Sequence, residues 1–360
     1  MAFFPDDGQV VQFTFGVSVG AAHPRARQAR ETLLHRRALD EYATSPEMAR
    51  SIERLFGEAL TPDEVVARIL AQVARDGDAA VLRYSALLDG ASTQSLLVPS
   101  ERIEQAWEST APDLRSALEY AAQRIRAFYE QQPCRSWMEW SPAGSGLGQM
   151  IRPMERVGIY APNGRAAYPS SLLMAAIPAR IAGVQEIILT SPVKDGRLNP
   201  LIAAAAEIAG VNRVFKVGGA QAVAALAYGT KTVPRVDIIV GPGNAYVAAA
   251  KKLVFGQVAI DMIAGPSEVA IIADEGAQPS FAAADLLAQA EHDEMAAAVL
   301  LTPSESLARR VADETKKHRA ILPRKNIIEA SLSQYGAIII TKDLDQAVEL
   351  ANLLAPEHLE

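Results

Sequence analysis

Several short stretches of the chain combine residue types that can do chemistry. Gln289-Ala290-Glu291-His292 closes an apolar helical run, and i, i+3 spacing puts the Gln289 amide and the His292 imidazole on one face, able to point at one ion. Zinc takes four ligands and favours imidazole, thiolate or carboxylate, so this pair is an incomplete set. The same two residues also read as a capped helix end, where a charged imidazole gains from the dipole. Pro356-Glu357-His358 sets a carboxylate beside an imidazole after a helix and a proline. Such neighbours can exchange protons at one locus, or they can form a solvated helix end. Three glycine-bearing turns complete the set: Pro162-Asn163-Gly164-Arg165, Val217-Gly218-Gly219-Ala220-Gln221 and Gly241-Pro242-Gly243-Asn244. Glycine admits close backbone approach, an amide side chain offers donor and acceptor, and a helix start presents free N–H groups. None of the three is G-x-G-x-x-G followed by an acid about twenty residues on. Each alone is also read as tight strand-to-helix geometry; three on one sheet edge favour ligand binding.

Imidazole chemistry is confined to five histidines, His23, His35, His292, His318 and His358. His318, in Lys316-Lys317-His318-Arg319, reads as part of a solvated basic helix end. Cys134 is the single cysteine, which excludes an intrachain disulfide and a thiolate zinc cluster and implies a reducing compartment. The 360 residues include 35 basic and 42 acidic side chains, a formal charge of −7. With 49% hydrophobic and 21% charged residues, a large core is expected and disorder is excluded as the dominant state. Scattered Lys and Arg in a mildly acidic chain exclude a basic nucleic-acid-binding face. No apolar run reaches the roughly 18 residues of a membrane span. Asp6 and Asp7 precede the first apolar stretch, against a secretory signal, while the arginines from Arg25 to Arg37 faintly suggest a transit peptide. The expectation is a non-folding extension over residues 1–37 and a cytoplasmic protein.

Periodicity indicates which elements position these residues. Residues 38–132 read as helical: Thr61-Pro62-Asp63-Glu64 is a capping box, and Val65, Val66, Ile69, Leu70 and Val73 recur at helical spacing up to Gly77. A second helix is expected over residues 112–131, with Leu114, Leu118, Ile125 and Phe128 on one face. Beyond Pro153, apolar β-branched runs alternate with Ala-rich helices. Strands are predicted at residues 157–160, 186–190, 213–217 and 236–240, then at 269–273, 298–301 and 336–341, with helices between them and over 345–355. Runs apolar on both faces imply parallel sheets covered on both sides. The fold class is therefore α/β, with two Rossmann-like, doubly wound parallel-sheet units and a helical N-terminal layer, divided near Asp261–Pro266.

Six segments, Val157–Ala179, Val217–Thr230, Val236–Asn244, Ile260–Val269, Asp285–Asp293 and Pro356–Leu359, resemble histidinol dehydrogenase in family order, with similarity from about residue 37 to the end. The resemblance implies an NAD- and zinc-dependent oxidoreductase of histidine biosynthesis, acting as a homodimer. It would oxidise L-histidinol to L-histidinal and then to L-histidine with two NAD molecules in turn. By position in the matched motifs, it implies that Tyr160, Gln221 and Asn244 contact NAD. Ser267, Gln289, His292 and His358 would bind substrate, Gln289 and His292 would bind zinc, and Glu357 and His358 would form the acid/base pair. The implied domains are residues 136–265 on the NAD side and residues 38–135 with 266–360 as a discontinuous zinc and substrate side. Asn163 stands where the family usually has Gly; Asn tolerates positive φ, so the turn is expected to survive. The family pattern continues past Leu359 with an Asp and a His for zinc and a Glu for substrate, expected to lie outside these 360 residues. The alternatives are a same-scaffold dehydrogenase for another small alcohol, or an inactive shortened fragment with half a zinc site.

Overall fold

The computed structural model describes residues 12–13, 46–90, 95–132, 135–163, 167–193, 196–263 and 265–360. The chain divides into two units, Thr44–Ile263 and Ala264–Glu360, the latter grouped with Met1–Ala43. Cys134 and Gly164–Ala166 lie outside the described residues. Of the stretch expected not to fold, Gln12–Phe13 forms a two-residue strand, β1, antiparallel to Ile338–Ile339.

In the Thr44–Ile263 unit, helices α1 (Pro46–Phe56), α2 (Pro62–Asp76) and α3 (Asp78–Asp89) lead to strand β2 (Leu97–Val98) and helices α4 (Ser100–Glu108) and α5 (Pro112–Tyr129). The capping box on α2 is formed: the Thr61 N–H donates to the Glu64 carboxylate at 2.8 Å and the Thr61 hydroxyl accepts the Glu64 N–H at 3.3 Å. A hairpin, β3 (Trp137–Trp140) and β4 (Gly146–Gln149), follows with all its side chains exposed. Then strands β5 (Arg156–Tyr160), β6 (Glu186–Ser191), β7 (Arg213–Lys216), β8 (Ile238–Val240) and β9 (Ala259–Ile260) alternate with helices. These helices are α6 (Pro169–Ile181), α7 (Pro200–Ile208), α8 (Gly219–Tyr228) and α9 (Ala245–Val254). The sheet order is β2-β7-β6-β5-β8-β9, parallel except for β2, so the winding direction reverses between β5 and β8. Strand β8 begins two residues later than predicted, because Asp237 turns its carboxylate to the N–H groups of Glu155 (3.0 Å) and Arg156 (2.9 Å).

The N-terminal helices pack on the six-stranded sheet within the Thr44–Ile263 unit. The α2 residues Val65, Ile69 and Val73 share one core with Phe215, Leu226 and Ile239, while Leu118 and Ala122 of α5 join Ile159, Ile177 and Leu189 in another. Both faces of the six-stranded sheet thus extend their apolar layers onto the N-terminal helices. The stripes are legible in the sequence; the surface they meet is not. Small side chains line this interior: Ala203–Ala206 in α7 and Ala220, Ala222, Ala224, Ala225 and Ala227 in α8 are all buried.

The second unit repeats the same winding on a smaller scale. Strands β10 (Glu268–Ile272), β11 (Ala297–Thr302) and β12 (Gly336–Ile340) are joined by helices α10 (Pro279–Ala290), α11 (Glu305–Arg319) and α12 (Lys325–Tyr335). Helix α13 (Leu344–Leu354) then leads to β13 (His358–Leu359). The order β1-β12-β11-β10-β13 is parallel apart from β1, and the winding reverses between β10 and β13. Among the described residues no helix is long and apolar enough to cross a membrane.

Candidate functional site

The reversal between β5 and β8 is where an open α/β sheet leaves a crevice at its carboxyl edge. Tyr160 ends β5 with its ring buried, and its hydroxyl accepts the N–H of Gly219, the first residue of α8, at 3.2 Å. Gly219 has φ +63°, and a Cβ there would stand 2.7 Å from Gln221 Oε1. Only glycine lets the helix start fold down onto both side chains. Gln221 is itself fully buried. On the other side of the reversal Asn244 caps α9, its Oδ1 accepting the Val247 N–H at 3.1 Å. The two sides touch through Gly241, at φ +116°, where a Cβ would lie 2.2 Å from the Tyr160 carbonyl oxygen. Tyr160, Gln221 and Asn244 are thus brought to one edge, beside the N-termini of α8 and α9. Two helix N-termini, two amides and a phenol suit a dinucleotide with an anionic pyrophosphate, so these residues fit NAD.

Asn163 differs from expectation. Among the described residues Ala355 is the one non-glycine with positive φ, so Asn163 does not use a left-handed conformation. Instead its Nδ2 donates to the Pro192 carbonyl at 3.1 Å and ties the turn after β5 to the segment after β6. An amide can make that tether and a glycine cannot.

Lys251 and Asp261 escaped the sequence reading. The Lys251 Nζ donates to the Gly241 carbonyl at 3.0 Å and forms an ion pair with Asp261. Asp261 in turn accepts the N–H of Gly241 at 2.8 Å and that of Met262 at 2.7 Å. The available signal was a lysine in the apolar run Tyr246–Val254, at a helix position facing the sheet.

In the second unit, the predicted residues also converge, at the amino edge of the sheet. Ser267 immediately precedes β10, and its carbonyl accepts the Ala297 N–H at 3.1 Å. Gln289 and His292 close α10 just before β11, with the His292 N–H donating to the Gln289 carbonyl at 3.1 Å. The Gln289 Nε2 is buried with no hydrogen-bond partner, a polar atom whose desolvation costs about 1–3 kcal/mol until something meets it. The turn that follows is shaped by Asp293, which accepts the Met295 N–H at 2.8 Å, and by Arg324, which donates to the Glu291 carbonyl at 3.3 Å. Strand β13 pairs with β10 so that His358 lies opposite Val269. The Glu357 Oε1 and His358 Nε2 stand 3.8 Å apart, each side chain 54% exposed, so both groups are half in water.

Ligands usually bind such sheets at the carboxyl edge, and this unit's site residues depart from that rule. A cleft of about 450 Å³ does open at its carboxyl edge, lined by Asp274, Gln278, Phe281, Asp285, Leu344 and Glu360. It contains none of the predicted residues, so we give it no role in the chemistry. Among the described residues no group of three or more His, Cys, Asp and Glu side chains is gathered for a metal. Gln289 and His292 supply two donors, which do not by themselves fit zinc's four-ligand sphere.

The family model for histidinol dehydrogenase matches residues 58–360. The chain belongs to the histidinol dehydrogenase family. It is 52% identical to a histidinol dehydrogenase of Syntrophotalea carbinolica, covering 83% of this chain and 70% of that protein. It is 53% identical to one of Aquifex aeolicus, covering 83% of this chain and 69% of that one. A crystal structure of histidinol dehydrogenase from Elizabethkingia anophelis superposes with a TM-score of 0.80 at 36% identity, over 84% of this chain and 70% of that chain. Histidinol dehydrogenases are NAD-using oxidoreductases of histidine biosynthesis, and the mixed α/β architecture with parallel sheets is theirs.

Proposed function

We propose that this chain oxidises L-histidinol to L-histidinal and then to L-histidine, using two NAD molecules in turn. The observation that carries the reading is the family match over residues 58–360, within which each motif position for that chemistry holds a suitable side chain. On the Thr44–Ile263 unit, Tyr160, Gln221 and Asn244 bind NAD, with the N-termini of α8 and α9 toward its pyrophosphate. When bound, NAD supplies the acceptor for the hydride that leaves the carbinol carbon.

Ser267, Gln289, His292 and His358 hold the substrate on the other unit. His358 takes the hydroxyl proton as the carbon–oxygen double bond forms, so the alcohol gives up a hydride and a proton. Glu357 then takes a proton from water as the water oxygen bonds to the aldehyde carbon, and the protonated His358 returns its proton to the carbonyl oxygen, giving the hydrate and a neutral His358. His358 removes a hydroxyl proton from the hydrate as the second hydride departs, leaving the carboxylic acid. Gln289 and His292 are two donors toward the zinc implied by the resemblance, half of a tetrahedral set. The same reading takes the working form to be a homodimer in the cytoplasm, supported by a biosynthetic role and a single cysteine.

Purified protein given L-histidinol should form two NADH per substrate consumed. Glu357→Gln should slow oxidation of supplied L-histidinal by about 10²–10⁴-fold, the span of general acid–base contributions, while the first oxidation is affected less. Turnover of another alcohol with none of L-histidinol would overturn the substrate assignment.

A further inference from the structure

We propose that the ion pair between the buried Lys251 and the solvent-accessible Asp261 is a positioning device for NAD, acting through Gly241. The inference rests on the NAD reading above and adds two residues that hold the Gly241 peptide groups. Lys251 is 4% exposed and sits in the second half of α9, whose cap is Asn244. Its Nζ donates to the Gly241 carbonyl at 3.0 Å, and its ion-pair partner Asp261 accepts the Gly241 N–H at 2.8 Å. One peptide residue is therefore gripped on its acceptor and on its donor by the two members of a single ion pair.

That arrangement is poorly explained as a stabilising device. Taking the Lys251 ammonium out of water offsets much of its attraction to Asp261, and a pair with one carboxylate still in water adds little net stability. What the pair supplies is direction. Gly241 is wedged against the Tyr160 carbonyl, where even a Cβ would approach to 2.2 Å. Three residues on, Asn244 caps α9 and presents its amide side chain. A shift of Gly241 therefore moves both sides of the reversal, Tyr160 on β5 and Asn244 on α9. The ion pair holds the loop by the Gly241 peptide groups, so its effect on NAD is exerted through Gly241.

The test uses the full chain and measures NAD affinity by titration calorimetry together with KM for NAD, kcat and thermal unfolding. Lys251→Met keeps the side-chain volume and removes the charge; Asp261→Asn keeps an acceptor for the Gly241 N–H and removes the ion pair. For Lys251→Met, Kd and KM for NAD should rise about tenfold, equivalent to ~1.4 kcal/mol, with kcat within about twofold. Asp261→Asn should show a smaller rise in the same direction. A purely structural pair would instead lower the melting temperature and leave the NAD affinity of the folded fraction unchanged, and that result overturns the proposal. So does a fall in kcat at constant KM for NAD. Should Lys251→Met fail to fold, the same criteria applied to Asp261→Asn decide. Absence of NAD binding by the unmodified chain would remove the NAD reading, and this inference with it, whereas equal binding by both proteins removes this inference alone.

Discussion

Ala355→Gly should make the Ala264–Glu360 unit more stable and the enzyme slower. Ala355 closes α13 with φ 46° and ψ 57°, the left-handed region, and its N–H donates to the Ala351 carbonyl at 2.8 Å. For an L-residue other than glycine that conformation costs roughly 1–2 kcal/mol. Its exposed methyl buries no surface that could repay the cost. Glycine removes the strain but adds freedom to the unfolded chain, worth about 0.4–1 kcal/mol in the other direction. The balance is a gain of about 0.5–1 kcal/mol for Ala355→Gly, from those two effects. Ala355 is also the hinge that sets where Glu357 and His358 emerge, and a glycine there widens the range of approach angles. We therefore expect kcat to fall severalfold with KM for L-histidinol little changed. Hydrogen exchange at the α13 amides reads the stability of this unit directly, and NADH formation reads the rate. A loss of protection by 0.5 kcal/mol or more, on a scale where ~1.4 kcal/mol is tenfold, would refute the strain argument. An unchanged kcat would refute the aiming role.

Two further outcomes follow from contacts away from the chemistry. Arg180 donates to the carbonyls of Val184 (3.1 Å), Gln185 (3.0 Å) and Gly210 (3.2 Å) and to Asn212, tying helix α6 to the turns that enter β6 and β7. Arg180→Met should lower stability by about 2–3 kcal/mol in urea unfolding while KM for NAD stays unchanged, since charge-assisted bonds are lost far from the carboxyl edge. The Glu64 carboxyl is held below its ordinary range, chiefly by the Thr61 N–H and then by the Thr61 hydroxyl. A depressed folded-state value means this contribution is present above the unfolded value and is lost as pH falls through the folded one. Glu64→Gln should accordingly lower the melting temperature of the Thr44–Ile263 unit at neutral and basic pH and flatten the acid limb of its profile.

Much of this architecture is legible in the sequence because parallel strands buried on both faces advertise themselves as continuous apolar runs. Val157–Tyr160 and Glu186–Thr190 lie in strands as read, Arg213–Val217 does so up to Lys216, and Thr61–Glu64 starts its helix as read. Strand β13 was not foreseen: two residues, His358 and Leu359, carry no periodicity, and only pairing with β10 makes them a strand. Helix α12 went unread because its stripe, Ile328 and Leu332, is short and interrupted by the buried Ser331, whose hydroxyl bonds the Ala296 carbonyl at 2.8 Å. The exposed Trp137–Trp140 hairpin lacks the alternation of a half-buried strand, so nothing in its pattern announced it.

For the candidate site, residue types identified the groups, and pairwise spacing suggested which could share a face. Spacing could not show that Glu357 and His358 join Ser267 and His292 at an amino edge, which follows from β13 lying beside β10. Nor could it expose Lys251 as a partner of Gly241, ten residues earlier and a helix away.

The alanines beneath the Thr44–Ile263 sheet edge have a consequence for how this enzyme can change. Ala203–Ala206 and the alternating alanines of α8 put methyl groups, with no rotamers to redistribute, between helix and strand. Adding even one methylene there forces a backbone to move, at about 1–3 kcal/mol for each overpacked position. The platform is therefore closed to gradual variation, and substitutions that are tolerated fall on the loops above it. On the NAD reading proposed above, a designer seeking a different cofactor preference, or a lineage drifting toward one, would work through Pro162–Asn163, Gly218–Gln221 and Gly241–Asn244, with the layer below serving as a fixed datum.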